Sequence, residues 1–138
     1  MWRDVSRVIA GGSIVIAALL GAGCGKPPPG GVVAYDQGAP ELAMSGVDAT
    51  TGVWQSAPWG GEGSGVTWIA YPGRVQVQVE HGLGRVPTGV LVYLSFLENG
   101  DDPALAAGDL ARVTQIDETH VTIWNDTNAG YYARIVVF

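Results

Sequence analysis

The chain has one cysteine in 138 residues, Cys24, so no disulfide can close within it and no cysteine-based zinc spacing exists. Charge is scarce too. Charged side chains make up 14% of the residues, against roughly 25% in typical globular proteins. Positive charge is the scarcer sign: 7 Lys and Arg stand against 13 Asp and Glu, giving a formal net charge of -6 and a pI near 4.6. The electrostatic footprint of a nucleic-acid binder is therefore missing, and overall charge will not draw the chain to anionic lipid. At 14.4 kDa there is no room for a second domain with its own core, which excludes two-domain enzymes. No run reaches the roughly 20 apolar residues of a transmembrane helix. Beyond the N-terminal stretch, no segment of ten or more residues combines a 3.6-residue period with capping signals.

Glycine is what the chain has in excess, 21 of 138 residues, about twice the usual share of roughly 7%. Glycine-rich, charge-poor composition favours short strands joined by turns. Arg3 and Arg7 precede an apolar stretch over residues 8–20, the layout of a signal peptide. The stretch ends in Leu20-Gly21-Ala22-Gly23-Cys24, and with small residues ahead of the lone cysteine it resembles the signal peptides of bacterial lipoproteins. That resemblance implies a diacylglyceryl group on the Cys24 thiol, cleavage ahead of Cys24, and attachment to the membrane through lipid. Gly25 in place of Asp implies outer-membrane delivery in a Gram-negative host. Each buried CH₂ of an acyl chain contributes about 0.8 kcal/mol, and more than one chain gives stable anchoring. The competing reading of Cys24 is a free thiol in an uncleaved signal helix.

Cleavage would remove residues 1–23, and with them Arg3, Arg7 and Asp4, leaving 115 residues with 5 basic and 12 acidic side chains. Residues 24–46 read as a tether, since Gly25-Lys26-Pro27-Pro28-Pro29-Gly30-Gly31 cannot form a regular ladder and residues 36–46 return to Gly, Pro and small side chains. A strand at residues 32–35 is the one exception considered. The ordered domain is expected over residues 47–138.

Within that domain, Arg74-Val75-Gln76-Val77-Gln78-Val79-Glu80 alternates valine with polar residues, the pattern of a half-buried strand. Residues 89–97 are apolar on both faces and read as a central strand covered on both sides. Residues 66–71, 110–116, 119–125 and 131–138 complete the set, with 51–54 as a possible addition. Pro103-Ala104-Leu105-Ala106-Ala107 has room for one helical turn. Six or seven short strands predict an all-β fold, a small antiparallel β-sandwich. The last two strands can be drawn as a hairpin around Asn128, which sets Val121 opposite Ile135 and puts His120, Trp124, Tyr132 and Arg134 on the other face. Those four residues are the candidate binding face, suited to sugar or protein contacts. The reading preferred for them is a stabilising cross-strand ladder worth about 0.2–1 kcal/mol per pair.

The phrase His81-Gly82-Leu83-Gly84-Arg85-Val86-Pro87-Thr88-Gly89, followed by an apolar strand and the terminal Ile135-Val136-Val137-Phe138, resembles the C-terminal β domains of bacteriophage virion and tail-associated proteins. The resemblance covers residues 75–138 and implies a structural or binding role; it brings no catalytic site. The lipoprotein signal and the acidic loop Glu98-Asn99-Gly100-Asp101-Asp102 depart from that pattern. Physically the phrase is a connector: Gly82, Gly84 and Gly89 permit unusual φ, while Pro87 fixes its own φ and restricts Val86. His81 continues the inward phase of Val75, Val77 and Val79, where a hydrogen bond to a turn carbonyl would satisfy it.

Chemistry finds little else to attach to. No nucleophile signature accompanies His81, and Gly60-Gly61-Glu62-Gly63-Ser64-Gly65 ends in neither a P-loop nor a dinucleotide fingerprint. Glu98, Asp101, Asp102 and Asp109 lack the ligand order of an EF-hand. The expectation is a lipid-anchored envelope protein, not an enzyme, with no cofactor, no metal and no nucleic-acid partner. It would present a phage-like structural or binding domain, or alternatively a carbohydrate-binding module. An envelope glycan, a protein, or a second copy of the chain stay open as partners.

Overall fold

A computed structural model describes residues 30–138; the signal stretch and Cys24 lie outside them. The fold is all-β, a small sandwich of two sheets. The strands are β1 (Val32–Tyr35), β2 (Gly46–Val47), β3 (Trp54–Gln55), β4 (Ile69–Tyr71), β5 (Gln76–Glu80), β6 (Val90–Ser95), β7 (Ala104–Leu105), β8 (Arg112–Ile116), β9 (His120–Trp124) and β10 (Tyr131–Val137). Two three-residue 3₁₀ turns, Pro40–Leu42 and Gly108–Leu110, are the only helical elements among the described residues.

One sheet has the order β1-β5-β9-β8, and the other β2-β3-β10-β6-β7 with β4 also paired to β10. Alternation decides what each strand buries. Val77 and Val79 of β5 and Val121 and Ile123 of β9 face Trp54, Ile69, Val92, Leu94, Ala133, Ile135 and Val137 of the second sheet, and these side chains form one contiguous core. Gln76, Gln78 and Glu80 face outward, as the alternating pattern predicts. β6 is central, lying between β10 and β7. Its Val92 and Leu94 join the main core, while Tyr93 packs on the far side against a second cluster of Ala57, Val66 and Trp68.

Four sequence expectations change. The described residues form ten strands, because two-residue bridges such as β2, β3 and β7 carry no periodicity to detect, and β7 occupies the place expected for a helical turn. The sandwich is not wholly antiparallel, since β1 pairs parallel with β5, Val33 opposite Val77 and Tyr35 opposite Val79. The folded unit accordingly includes residues 32–46, read above as tether: Tyr35 and Leu42 are buried in the core. Finally, β9 and β10 do not form a hairpin. β9 is flanked by β5 and β8, and β10 by β6 and by β3 and β4, so residues 125–130 cross from one sheet to the other.

Asn125 builds that crossing. Fully buried, it donates from Nδ2 to the carbonyl of Ala129 at 2.8 Å and accepts at Oδ1 from the Thr127 hydroxyl at 2.7 Å. Next to it, the buried carboxylate of Asp126 accepts from Arg74 Nη1 at 2.6 Å. Arg74 itself sits at φ +62°, a conformation costly for a non-glycine residue and held here by its surroundings. A buried amide and a buried carboxylate paired to the partly exposed Arg74 fix the corner where a two-strand drawing has only a polar loop.

The connector 81–89 behaves in part as expected. His81 is buried in phase with Val77 and Val79, and its Nε2 lies 3.1 Å from the Asp117 carbonyl. Only Gly84 of the three glycines takes a left-handed conformation, φ +66°. Gly89 is needed for a different reason, since a Cβ there would overlap the ring of Phe138.

Candidate functional site

The crossing between sheets disperses the proposed face of His120, Trp124, Tyr132 and Arg134. Tyr132 and Arg134 lie on the outer side of the β6–β10 sheet, with Arg134 opposite Tyr93 and Tyr132 opposite Ser95. His120 and Trp124 lie on the other sheet. Trp124 is buried there, 8% exposed, with the Arg112 guanidinium 5.1 Å from its ring centroid. It offers no open ring face to a ligand.

On the β6–β10 sheet, residues 56–68 fold back over the outer face as a partial roof. Ser56 begins it: its amide donates to the Ile135 carbonyl, and its hydroxyl accepts from the Ile135 amide, both at 2.9 Å. Trp68 anchors the return, its Nε1 donating to Pro58 O at 3.2 Å. Between these points Trp59 stays 52% exposed. Its ring meets Tyr93 edge-on at 4.7 Å, Trp68 at 6.2 Å, and the Arg134 guanidinium at 4.1 Å.

Arg134 is the residue that organises this face. It is 5% exposed, donates from Nε to Ala57 O at 2.8 Å and from Nη2 to Gln55 Oε1 at 2.5 Å, and lies between Trp59 and Tyr93. Burial lowers its pKa from the ordinary arginine value, against an opposing contribution from Tyr93. Among the described residues it has no carboxylate partner, so the cation is stabilised by two oxygen acceptors and two aromatic rings. Trp59 is thereby fixed on a rigid support instead of lying loose on a loop. An exposed apolar group continues beside it: Leu105 of β7, 59% exposed, is paired with Tyr93. Phe96, 77% exposed just past β6, packs at 5.1 Å on Tyr131, which lies against the main core and not in the roofed cluster.

The outer face of the first sheet is polar. Gln78 donates to the Thr122 hydroxyl at 3.2 Å, and the Thr114 hydroxyl to Gln76 at 2.8 Å. At one end of it, Asp36, Glu80 and His120 come together from three neighbouring strands, with their ligand-type atoms all within 4.8 Å of one another. A cleft of about 390 Å³ lies alongside, lined by Gln37, Leu42, Ser45, Val47, Trp54 and Gly82 among others. The acidic loop residues do not gather: Asp109 pairs with Arg112 at 2.6 Å, and Asp101 caps the amide of Asp102.

Sequence reasoning missed Trp59, Tyr93, Asp36 and Glu80. Trp59 stands in a Gly- and Pro-rich stretch with no periodicity to assign it a face, and Asp36 and Glu80 become neighbours only through the parallel pairing of β1 with β5. Comparison of the chain with protein-family models, with curated proteins and with solved structures gives no match, so its function rests on this geometry.

Proposed function

We propose that the chain is an exported lipoprotein, held in the cell envelope through lipid on Cys24, whose β-sandwich is a contact module and not an enzyme. This is the role implied by the likeness of residues 75–138 to phage structural domains. The observation that supports it best is the Trp59 platform: a half-exposed indole stacked beside a buried, carboxylate-free arginine, with Leu105 and Phe96 also left in solvent. A large apolar ring kept on the surface by buried hydrogen bonds marks an interaction site more than a packing remnant.

A second reading, a carbohydrate-binding module, is favoured by one specific feature. The Trp59 ring is half exposed and preorganised by the Arg134 guanidinium 4.1 Å from its centroid, a rigid aromatic surface that suits stacking against a sugar. Two measurements separate the readings on the full chain. Trp59→Ala abolishes binding to purified envelope glycan if the ligand is a sugar. A photo-crosslinking side chain at position 105, opposite Tyr93, captures a protein neighbour in intact envelopes if the module assembles with protein. The anchor is tested by Cys24→Ser, which stops fatty-acid labelling and releases the protein from the membrane fraction or stalls it unprocessed; labelling like the wild type contradicts it.

A further inference from the structure

The row Asp36, Glu80 and His120 has no part in the contact face, and it has the composition of a metal site. Its geometry follows from register. Glu80 is directly opposite His120 across the antiparallel β5–β9 pair, and Asp36 follows Tyr35, whose parallel partner is Val79. The three side chains therefore form one tier across adjacent strands, on the outward side where Val79 and Val121 point inward. Neighbouring strands are about 4.8 Å apart, so three ligands on one tier start close to bridging distance.

The imidazole is set for ligation. Thr119 Oγ1 donates its single proton to Asp117 Oδ1 at 2.9 Å, and it lies 2.7 Å from His120 Nδ1. The hydroxyl must then accept from Nδ1–H, which leaves the lone pair on Nε2. Asp117 is the acceptor at the start of this chain: its Oδ1 accepts from the amides of Thr119 at 2.8 Å and His120 at 2.7 Å as well as from the Thr119 hydroxyl. Support of the non-ligating ring nitrogen by an oxygen partner is what metal-bound histidines show. Of the two carboxylates, Glu80 accepts the Gln37 amide at 2.7 Å on Oε2. The Asp36 side chain has no hydrogen bond or ion pair among the described residues. Gln37 and Gly82, which flank the cleft, stand next to Asp36 and two residues from Glu80, so the row lies beside a concave surface with room for water or a further ligand.

We infer that Asp36, Glu80 and His120 bind one divalent cation of the zinc or manganese type. One imidazole with two carboxylates suits borderline ions better than Ca²⁺ or Mg²⁺, which take oxygen alone. Bonds of about 2.1 Å require the exposed Asp36 and the half-buried Glu80 side chains to close in by rotamer change, with β5 and β9 unmoved. The site goes beyond the contact function and does not depend on it.

The test is titration of Zn²⁺ into the full chain carrying Cys24→Ser, so that the lone thiol cannot ligate, read by calorimetry and by the visible spectrum of Co²⁺ as a substitute ion. One ion binds per chain, and Ca²⁺ does not compete. Asp36→Asn, Glu80→Gln and His120→Gln each weaken binding at least tenfold. Thr119→Val, which removes the hydroxyl that supports Nδ1 together with its bond to Asp117, weakens it about tenfold. All three ligand side chains lie on the outward face, and unfolding curves confirm that the variants fold. Absence of saturable binding overturns the assignment. So does a site lost in His120→Gln but untouched in Asp36→Asn and Glu80→Gln, which would place the ion on Asp117 and His120.

Discussion

The two sheets share one core but their outer faces are finished in opposite ways. β5 and β9 leave Gln76, Gln78, Glu80 and His120 half-exposed to water, while β6 and β10 are partly roofed by residues 56–68 and present rings around a buried arginine. The first face is made by local alternation and is legible strand by strand. The second is made by a long return of the chain, and its stability depends on contacts separated by more than 70 residues, such as Arg134 to Ala57.

The contrast can be broken first at the element both faces share. Ile135→Ala removes a fully buried core side chain and is expected to cost about 2–5 kcal/mol in urea unfolding, with both faces lost together. Arg134→Leu acts on the roofed face. It deletes two hydrogen bonds and the support of Trp59, leaving the Ala57 carbonyl without its partner, and is expected to cost about 1–3 kcal/mol. Trp59 fluorescence should shift toward that of a solvated indole. Gly84→Val tests the connector, where φ +66° makes a β-branched residue strained by about 1–3 kcal/mol; an unchanged melting curve would mean the turn relaxes freely.

The smallest effect sharpens the polar face. Asp117 has its carboxyl lowered to about 2 from 3.8 by amide and hydroxyl donors. The folded value lies below the unfolded one, so this contribution is fully present above pH 4 and disappears as pH falls through about 2. Titration of the Asp117 carboxyl by NMR checks it, and a midpoint near 3.8 would mean the Thr119 and His120 bonds do not hold in solution.

Residues 74–80 and 89–97 show how much of this was legible in the sequence. Their alternation predicts the inward valines, because burial on a pleated strand is written in period two; the expected cover on both faces of residues 89–97 is only partial, with Leu91, Phe96 and Leu97 exposed. The same logic fails for residues 119–138, where adjacency in sequence suggests a hairpin. Buried polar contacts at Asn125 and Asp126 turn the chain into the other sheet instead, and polar residues in a loop look alike whether solvated or buried. That one misplacement carries Trp124 and His120 away from Tyr132 and Arg134. Residues 32–35 were ambiguous for a related reason: a short strand in a Gly- and Pro-rich context becomes a strand only because β5 offers it a parallel edge.

The central claim is that the Trp59 platform exists for contact and not for packing, and Trp59→Ala in the full chain tests it most directly when stability and binding are measured on the same sample. The account predicts a loss of no more than about 0.5–1.5 kcal/mol in unfolding, the value of an aromatic pair. It also predicts at least a tenfold loss in binding to envelope glycan, or loss of the crosslink from position 105. Wild-type binding in a strongly destabilised variant would contradict it and make the indole part of the roof.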